Sequence, residues 1–347
     1  MNSLPRRSFG SDNNAPVPPE LLQAILDANS GDAVGYGEDA WTARAIARFR
    51  EQFGNETDVY LTFNGTGANV AALSSLLRPW ETVLAPASAH LQTDECGALE
   101  RFAGSKVIPI PTGDGKIRPS DIEPYLKPVD VHFPQARAIS IAQSTEFGGV
   151  YEIEEVRALC EFAHDRGLIV HVDGARIANA AVSLGATPRE ITADLGVDVL
   201  TFGGSKNGLM IGEAICFFGR DMHAGAAPFV QKQAMQLASK MRYIAAQFDA
   251  LLQGDLWRRY AAHANAMAQL LYQRVKRIAG VRVTRPVRAN AVFATLDRGA
   301  IRRIQQEFFF YVFEETLPEV RWMTHWATTE RDVDAFARCI ERATSGA

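Results

Sequence analysis

Lys206 stands in the run Thr201-Phe202-Gly203-Gly204-Ser205-Lys206-Asn207-Gly208, just after an apolar stretch and among small residues. A lysine placed this way can react with an aldehyde: rigid placement, close backbone approach and a field that lowers its pKa all favour the free amine. A Ser-Lys pair near glycines is also common on ordinary surfaces, so this pair alone assigns nothing. Upstream, Leu168-Ile169-Val170-His171-Val172-Asp173-Gly174-Ala175-Arg176 reads as a buried parallel strand that ends on Asp173. A carboxylate at a strand's carboxyl end and a lysine on another loop form the pair that pyridoxal phosphate requires. The carboxylate keeps the pyridine nitrogen protonated so that the ring can draw electrons, and the lysine holds the aldehyde covalently.

Two further segments could complete such a site. In Phe63-Asn64-Gly65-Thr66-Gly67-Ala68-Asn69, between a strand and a helix, the glycines let backbone N–H groups approach an anion at a helix amino end. The alternative is a tight turn with Thr66 as helix cap. There is no third glycine for a dinucleotide fingerprint and no Gly-Lys-Ser/Thr ending for a P-loop, so a single monoester phosphate suits the loop best. In Ala89-His90-Leu91-Gln92-Thr93-Asp94-Glu95, His90 could lie on a cofactor ring and reach a substrate hydroxyl, oriented by Glu95 or Asp94. Capping of the following helix is the alternative.

The elements that must position these residues alternate along the chain. Strand signals fall at 59–63, 82–85, 106–110, 138–142, 168–172, 198–202 and 213–218, with helices at 20–29, 41–53, 66–77, 153–166 and 175–184. This predicts an α/β fold with a mostly parallel seven-stranded sheet, whose ligands gather at the carboxyl ends of the strands. The stretch 229–278 is helix-rich and broken at Gly254. The remainder reads as small α+β: strands at 281–283, 291–296 and 320–326, helices at 301–313 and from Glu330. The expected division is an arm over 1–19 near the site, a large cofactor-binding domain over 20–252 and a small domain over 253–347.

With 347 residues, 47% hydrophobic and 22% charged, the chain has the composition of a globular protein with a sizeable core. A net charge of −4 without a basic tract speaks against nucleic acid. No run is long enough to cross a bilayer. Arg6-Arg7 is followed by no apolar core and reads as a charged terminus rather than a secretion signal. Cys96, Cys160, Cys216 and Cys339 lack metal-site or disulfide spacing, which makes the cytoplasm the expected compartment and leaves no metal site in view.

Taken together, Phe9-Gly10-Ser11-Asp12-Asn13, Tyr36-Gly37-Glu38-Asp39, Asn64 through Asn69, Ala89 through Ala98, Val172 through Arg176 and Phe202 through Gly208 are highly specific. The chain resembles, nearly end to end, the low-specificity L-threonine aldolases of the pyridoxal-phosphate aminotransferase superfamily (fold type I), in particular bacterial forms that also cleave phenylserine. The resemblance implies Lys206 as the covalent anchor, Asp173 as the pyridinium partner, Gly65, Thr66 and Gly67 as the phosphate loop and His90 stacked on the ring. Ser11, Arg176 and Arg321 would bind the substrate carboxylate, with Arg176 also within reach of the cofactor. Ser205 stands where many members carry threonine, which keeps the hydroxyl. A neighbouring subunit would lend the phosphate a basic residue, Lys232, Lys240 or Arg242, in a homodimer or homotetramer with shared sites. The implied activity is cleavage of L-threonine, L-allo-threonine and related β-hydroxy amino acids to glycine and an aldehyde, with His90, directly or through water, taking the hydroxyl proton. The rivals are a β-eliminating lyase or racemase using the same cofactor, and a cofactor-binding scaffold without catalysis. For Arg321 the bland alternative is a strand-edge surface ion pair.

Overall fold

The computed structural model describes residues 8–219, 222–223 and 225–345. Arg6-Arg7 and the first part of the arm lie outside the described residues. The large sheet contains β1 (Thr57–Thr62), β2 (Glu81–Pro86), β3 (Lys106–Ile110), β4 (Gln135–Ala142), β5 (Ile169–Gly174), β6 (Val199–Gly203) and β7 (Glu213–Phe218). Their spatial order is β1-β7-β6-β5-β4-β2-β3. Only β7 runs against its neighbours, pairing antiparallel with both β1 and β6; the other contacts are parallel. The continuous apolar runs seen in the sequence follow from this arrangement, since helices cover both faces and strands such as β6 are buried throughout.

Helix Ala40–Phe53 starts where the Asp39 carboxylate accepts the Thr42 N–H at 2.8 Å. It buries Ala45, Phe49 and Phe53, and half-buried Ile46 packs against the same core. The core around the large sheet extends to Trp257, Tyr260 and Ala261 at the start of helix Leu256–Val275. Further along that helix, Met267, Ala268, Leu271 and Val275 enter a second core with Val292, Trp322 and Phe336. This second core lies on a small antiparallel sheet: β8 (Arg282–Val283), β9 (Ala291–Thr295), β10 (Tyr311–Glu314) and β11 (Glu319–Met323), in the order β10-β11-β9-β8.

The expected helix over 301–313 is a correction. Helix Arg298–Gln305 ends early, and the chain turns into β10, which pairs with β11. The run Phe308-Phe309-Phe310 alternates buried, exposed, buried, the period of an extended chain, and its bulky aromatics favour a strand.

Phe9 pins the arm. It is fully buried and stacked on Phe336 at 4.1 Å between centroids, its N–H donates to Phe309 O, and its carbonyl accepts from Met323 N. Burying a phenylalanine contributes roughly 1.5–3 kcal/mol. That anchor carries Ser11 and Asp12 to the carboxyl ends of the large sheet's strands.

Candidate active site

A cavity of about 610 Å³ opens at those carboxyl ends and is lined by Ser11, Gly65, His90, Asp173, Arg176, Lys206 and Arg321, among others. Seven of the nine residues singled out from the sequence therefore meet in one place. Thr66 and Gly67 follow Gly65 in the first turn of helix Gly65–Ser74.

Lys206 sits in a short turn after β6. A Cβ on Gly203 would stand 2.4 Å from Ala175 O, and one on Gly204 2.5 Å from Gly212 O, so only glycine lets the backbone pass here. The Glu213 carboxylate accepts the Gly204 N–H at 2.7 Å, and Asn207 Nδ2 donates to Trp257 O at 3.1 Å, which fixes the turn on both sides. Burial lowers the Lys206 pKa, and the nearby Arg176 pushes the same way. Among the described residues its amine makes no hydrogen bond or ion pair.

Asp173, near the end of β5, accepts from Ala175 N and from Asn69 Nδ2, both at 2.9 Å. Burial alone would raise its pKa; the Lys206 charge and these hydrogen bonds outweigh burial and hold it below the ordinary value, so it is an anion. His90 opens a short helix, but its ring caps nothing: Nδ1 lies 2.9 Å from Glu95 Oε1. Glu95, not Asp94, is thus the orienting acid. That oxygen already accepts from Asn69 Nδ2, also at 2.9 Å. With this oxygen acting as the acceptor for both, Nδ1 carries the hydrogen and Nε2 is left to accept one. The hydrogen bond to Glu95 raises the His90 pKa.

The loop before helix Gly65–Ser74 corrects the capping alternative. The cap is Asn64, whose side chain accepts the Gly67 N–H at 2.8 Å, rather than Thr66. A Cβ on Gly67 would lie 2.2 Å from the Gln236 side chain, which accounts for the glycine there. The N–H groups of Gly65 and Thr66 belong to the helix's first turn, where no intrahelical acceptor exists.

Arg176 donates Nε and Nη2 to Asp12 at 2.7 and 2.9 Å, and Asn290 Nδ2 joins Asp12 at 3.1 Å. Burial works against the Asp12 carboxylate, but Arg176 prevails and holds its pKa at about 2. Ser11 caps the same short turn by accepting from Asn13 N at 3.2 Å. Arg321, on β11, contradicts the surface-ion-pair alternative: it lines the cavity, pairs with no carboxylate among the described residues, and its buried Nε lacks a partner. Burial lowers its pKa. Lys232 and Lys240 are exposed and Arg242 donates to Gly31 O; none lines this cavity.

Asp12, Asn69, Glu146 and Glu213 were not singled out from the sequence. Glu146 accepts the His90 backbone N–H at 2.9 Å, and burial lifts its carboxyl to about 7. Asp12 and Asn69 lay within the quoted motifs, which was the one signal available for them.

These donors fit pyridoxal phosphate. They supply a half-buried amine with no hydrogen bond or ion pair among the described residues, a carboxylate held as an anion, open N–H groups at a helix amino end and a guanidinium that pairs with no carboxylate among the described residues.

Residues 8–298 match the family model described as "Beta-eliminating lyase". A low-specificity L-threonine aldolase from a Pseudomonas species is 43% identical over 98% of both chains. A threonine aldolase structure from Leishmania major superimposes with a TM-score of 0.91 at 31% identity, covering 97% of this chain and 99% of that one. Aspartate aminotransferase from Thermus thermophilus, 17% identical with a TM-score of 0.69 over 97% and 90% of the two chains, shares the fold. The chain belongs to the β-eliminating lyase family and, within it, to the low-specificity L-threonine aldolases.

Proposed function

We propose that the protein is a pyridoxal-phosphate-dependent aldehyde-lyase that cleaves L-threonine, L-allo-threonine and related β-hydroxy-α-amino acids such as phenylserine to glycine and an aldehyde. The observation that carries this reading is the unpartnered Lys206 amine beside the Asp173 anion, with the unpartnered Arg321 guanidinium in the same cavity. When bound, the cofactor supplies an electron sink for the pair released as the Cα–Cβ bond breaks.

The chain's own residues do the rest. Lys206 would anchor the cofactor through its amine. The open N–H groups of Gly65 and Thr66 would receive the phosphate at the helix amino end, with Gly67, held by Asn64, shaping the turn beside it, and Asp173 would hold the ring nitrogen's proton. Arg321 binds the substrate carboxylate and so sets the torsion about the N–Cα bond. Arg176, clamped by Asp12, and Ser11 flank the same carboxylate. His90 faces the ring, and its Nε2 takes the β-hydroxyl proton, directly or through one water, because Nδ1 is committed to Glu95. Phe147, Val312 and Phe313 give the cavity apolar wall, and such a wall discriminates weakly among β-substituents.

Lys232, Lys240 or Arg242 reaches the phosphate of a neighbouring subunit in a homodimer or homotetramer. Exposed Tyr36, which lies 4.8 Å from Lys232 Nζ, and exposed Phe229 and Met235, on and just after the same helix, support a face between copies. The compartment is the cytoplasm; among the described residues no helix is long and apolar enough to cross a membrane.

The test is a product assay on the cofactor-loaded protein with L-threonine, L-allo-threonine and phenylserine. Equimolar glycine and aldehyde are expected. Pyruvate and ammonia from L-serine without glycine from L-threonine would make it an eliminating lyase, and racemised substrate alone a racemase.

A further inference from the structure

Asn69 is 1% exposed and sits on the first turns of helix Gly65–Ser74, where nothing in the proposed chemistry uses it. Its single amide nitrogen donates to Glu95 Oε1 and to Asp173 Oδ2, both at 2.9 Å. Both flanking atoms are carboxylate oxygens, so the nitrogen, not the oxygen, must face them. The side chain pays for that orientation: Asn69 Oδ1 is buried without a hydrogen-bond partner, as is Glu95 Oε2. A buried acceptor left unpaired is costly, and a group that keeps such a cost invites a functional account. Atoms of His90, Glu95 and Asp173 all lie within 4.8 Å of one another. Like charges that near each other in a buried site oppose each other's ionisation unless donors offset them.

We propose that Asn69 is a positioning residue. By giving one N–H to each carboxylate it keeps Asp173 an anion for the cofactor ring and keeps Glu95 an acceptor for the His90 ring. The path His90 Nδ1–Glu95–Asn69–Asp173 thereby joins the base to the pyridinium partner through two side chains, Glu95 and Asn69. This rests on the reading of the cavity as a pyridoxal-phosphate site.

The surrounding charges leave this task to Asn69. Lys206 faces both Asp173 and His90, but its amine is the group that would hold the cofactor, and it makes no hydrogen bond to either among the described residues. Arg176 faces Asp173 and Glu146 but is bonded to Asp12. His171 faces Asp173 from within β5; burial drives its pKa down to about 4, and its ring is bonded to Ser140 and Thr201. Glu146, lifted to about 7 by burial and by the Asp173 charge, supplies no positive charge to it.

The test is Asn69→Leu, which matches the volume and suits a helix but removes both donors. Two quantities are read on the cofactor-loaded protein: the His90 ring titration by ¹⁵N NMR, and the acid limb of kcat/KM for phenylserine. With both donors gone and one of the two carboxylates protonated, the His90 pKa should fall by about one unit, and the acid limb should move down with it. Asn69→Thr, whose single hydroxyl can serve only one carboxylate, should shift both in the same direction by less, and it serves if the leucine variant does not fold. A His90 titration unmoved in the variants, even with lowered activity, would reduce Asn69 to a packing residue and overturn the proposal. The NMR titration needs no turnover, so a wild-type protein that cleaves no hydroxy amino acid would sink the proposed function while leaving this result readable.

Discussion

Arg176 and Arg321 face one cavity from different sheets, and they are in opposite states. Arg176, just past β5, is bonded through two nitrogens to buried Asp12 and so ties the arm to the large sheet. Arg321, on β11 of the small sheet, pairs with no carboxylate among the described residues and has a buried Nε without a partner. The same division runs through the rest of the site. His90, Glu95, Asn69, Asp173 and Asp12 are bonded to one another or to Arg176; among the described residues Lys206 makes no hydrogen bond or ion pair, and Arg321 meets only the Phe313 ring, 5.6 Å from its guanidinium carbon. Bonded groups hold the site's shape. Bare groups, costly to bury in that condition, await what binds there: an aldehyde for the amine and a carboxylate for the guanidinium.

Substitutions can break or sharpen that division. Lys206→Ala should abolish turnover and the visible absorbance of the loaded protein while leaving the melting temperature unchanged or higher, since a buried unpaired amine is removed. Retained activity with an unchanged spectrum would exclude it as anchor. His90→Phe should keep cofactor binding and lose roughly two to four orders of magnitude in kcat, the range for loss of a general base. Because the Glu95 hydrogen bond raises its pKa, the acid limb of the wild-type pH–rate profile should lie above 6.5, the ordinary imidazole value, and be absent in the variant. Near-normal kcat with the same limb would leave His90 as a stacking residue.

The arginines should part company. Arg176→Ala strands Asp12 as a buried lone charge and should cost about 3–5 kcal/mol of stability in urea unfolding. Arg321→Ala should leave stability intact but lower kcat/KM by roughly 10- to 150-fold, the equivalent of a charge-assisted hydrogen-bond loss of about 1.5–3 kcal/mol, with KM rising and kcat falling. Equal stability losses would erase the distinction.

The smallest effects are in pH and carry opposite signs. Asp12, depressed from 3.8 to about 2, contributes stability above pH 4 that is lost as pH falls toward 2, on the order of 2 kcal/mol. Glu213, raised from 4.5 to about 7 mainly by burial, contributes stability below pH 4.5 that is lost as pH rises through 7. Urea midpoints should therefore favour Glu213→Gln over wild type above pH 7, with that advantage vanishing near pH 4. An advantage independent of pH would rule out the carboxyl's titration as its source.

Much of the bonded scaffold was legible in the sequence because local rules write it. Apolar runs ending on Asp173 and before Lys206 mark strands, and the glycines beside Lys206 mark close backbone approach. The partners were not legible. Asp12 reaches Arg176 across 164 residues and Asn69 reaches Asp173 across 104, and no local pattern separates these side chains from ordinary helix caps. Helical spacing of apolar residues also misled at 301–313, where β10 is stabilised by pairing with β11, a contact that periodicity does not encode. Nor could sequence reveal that Arg321 is bare, since the absence of a partner is a property of the fold.

The bare amine is the feature on which everything else depends. Borohydride reduction of the cofactor-loaded protein, followed by peptide mapping with mass spectrometry, should find the pyridoxyl phosphate mass on the peptide containing Lys206 and nowhere else. The label on another lysine, or no label on a protein that still turns over, would contradict the account.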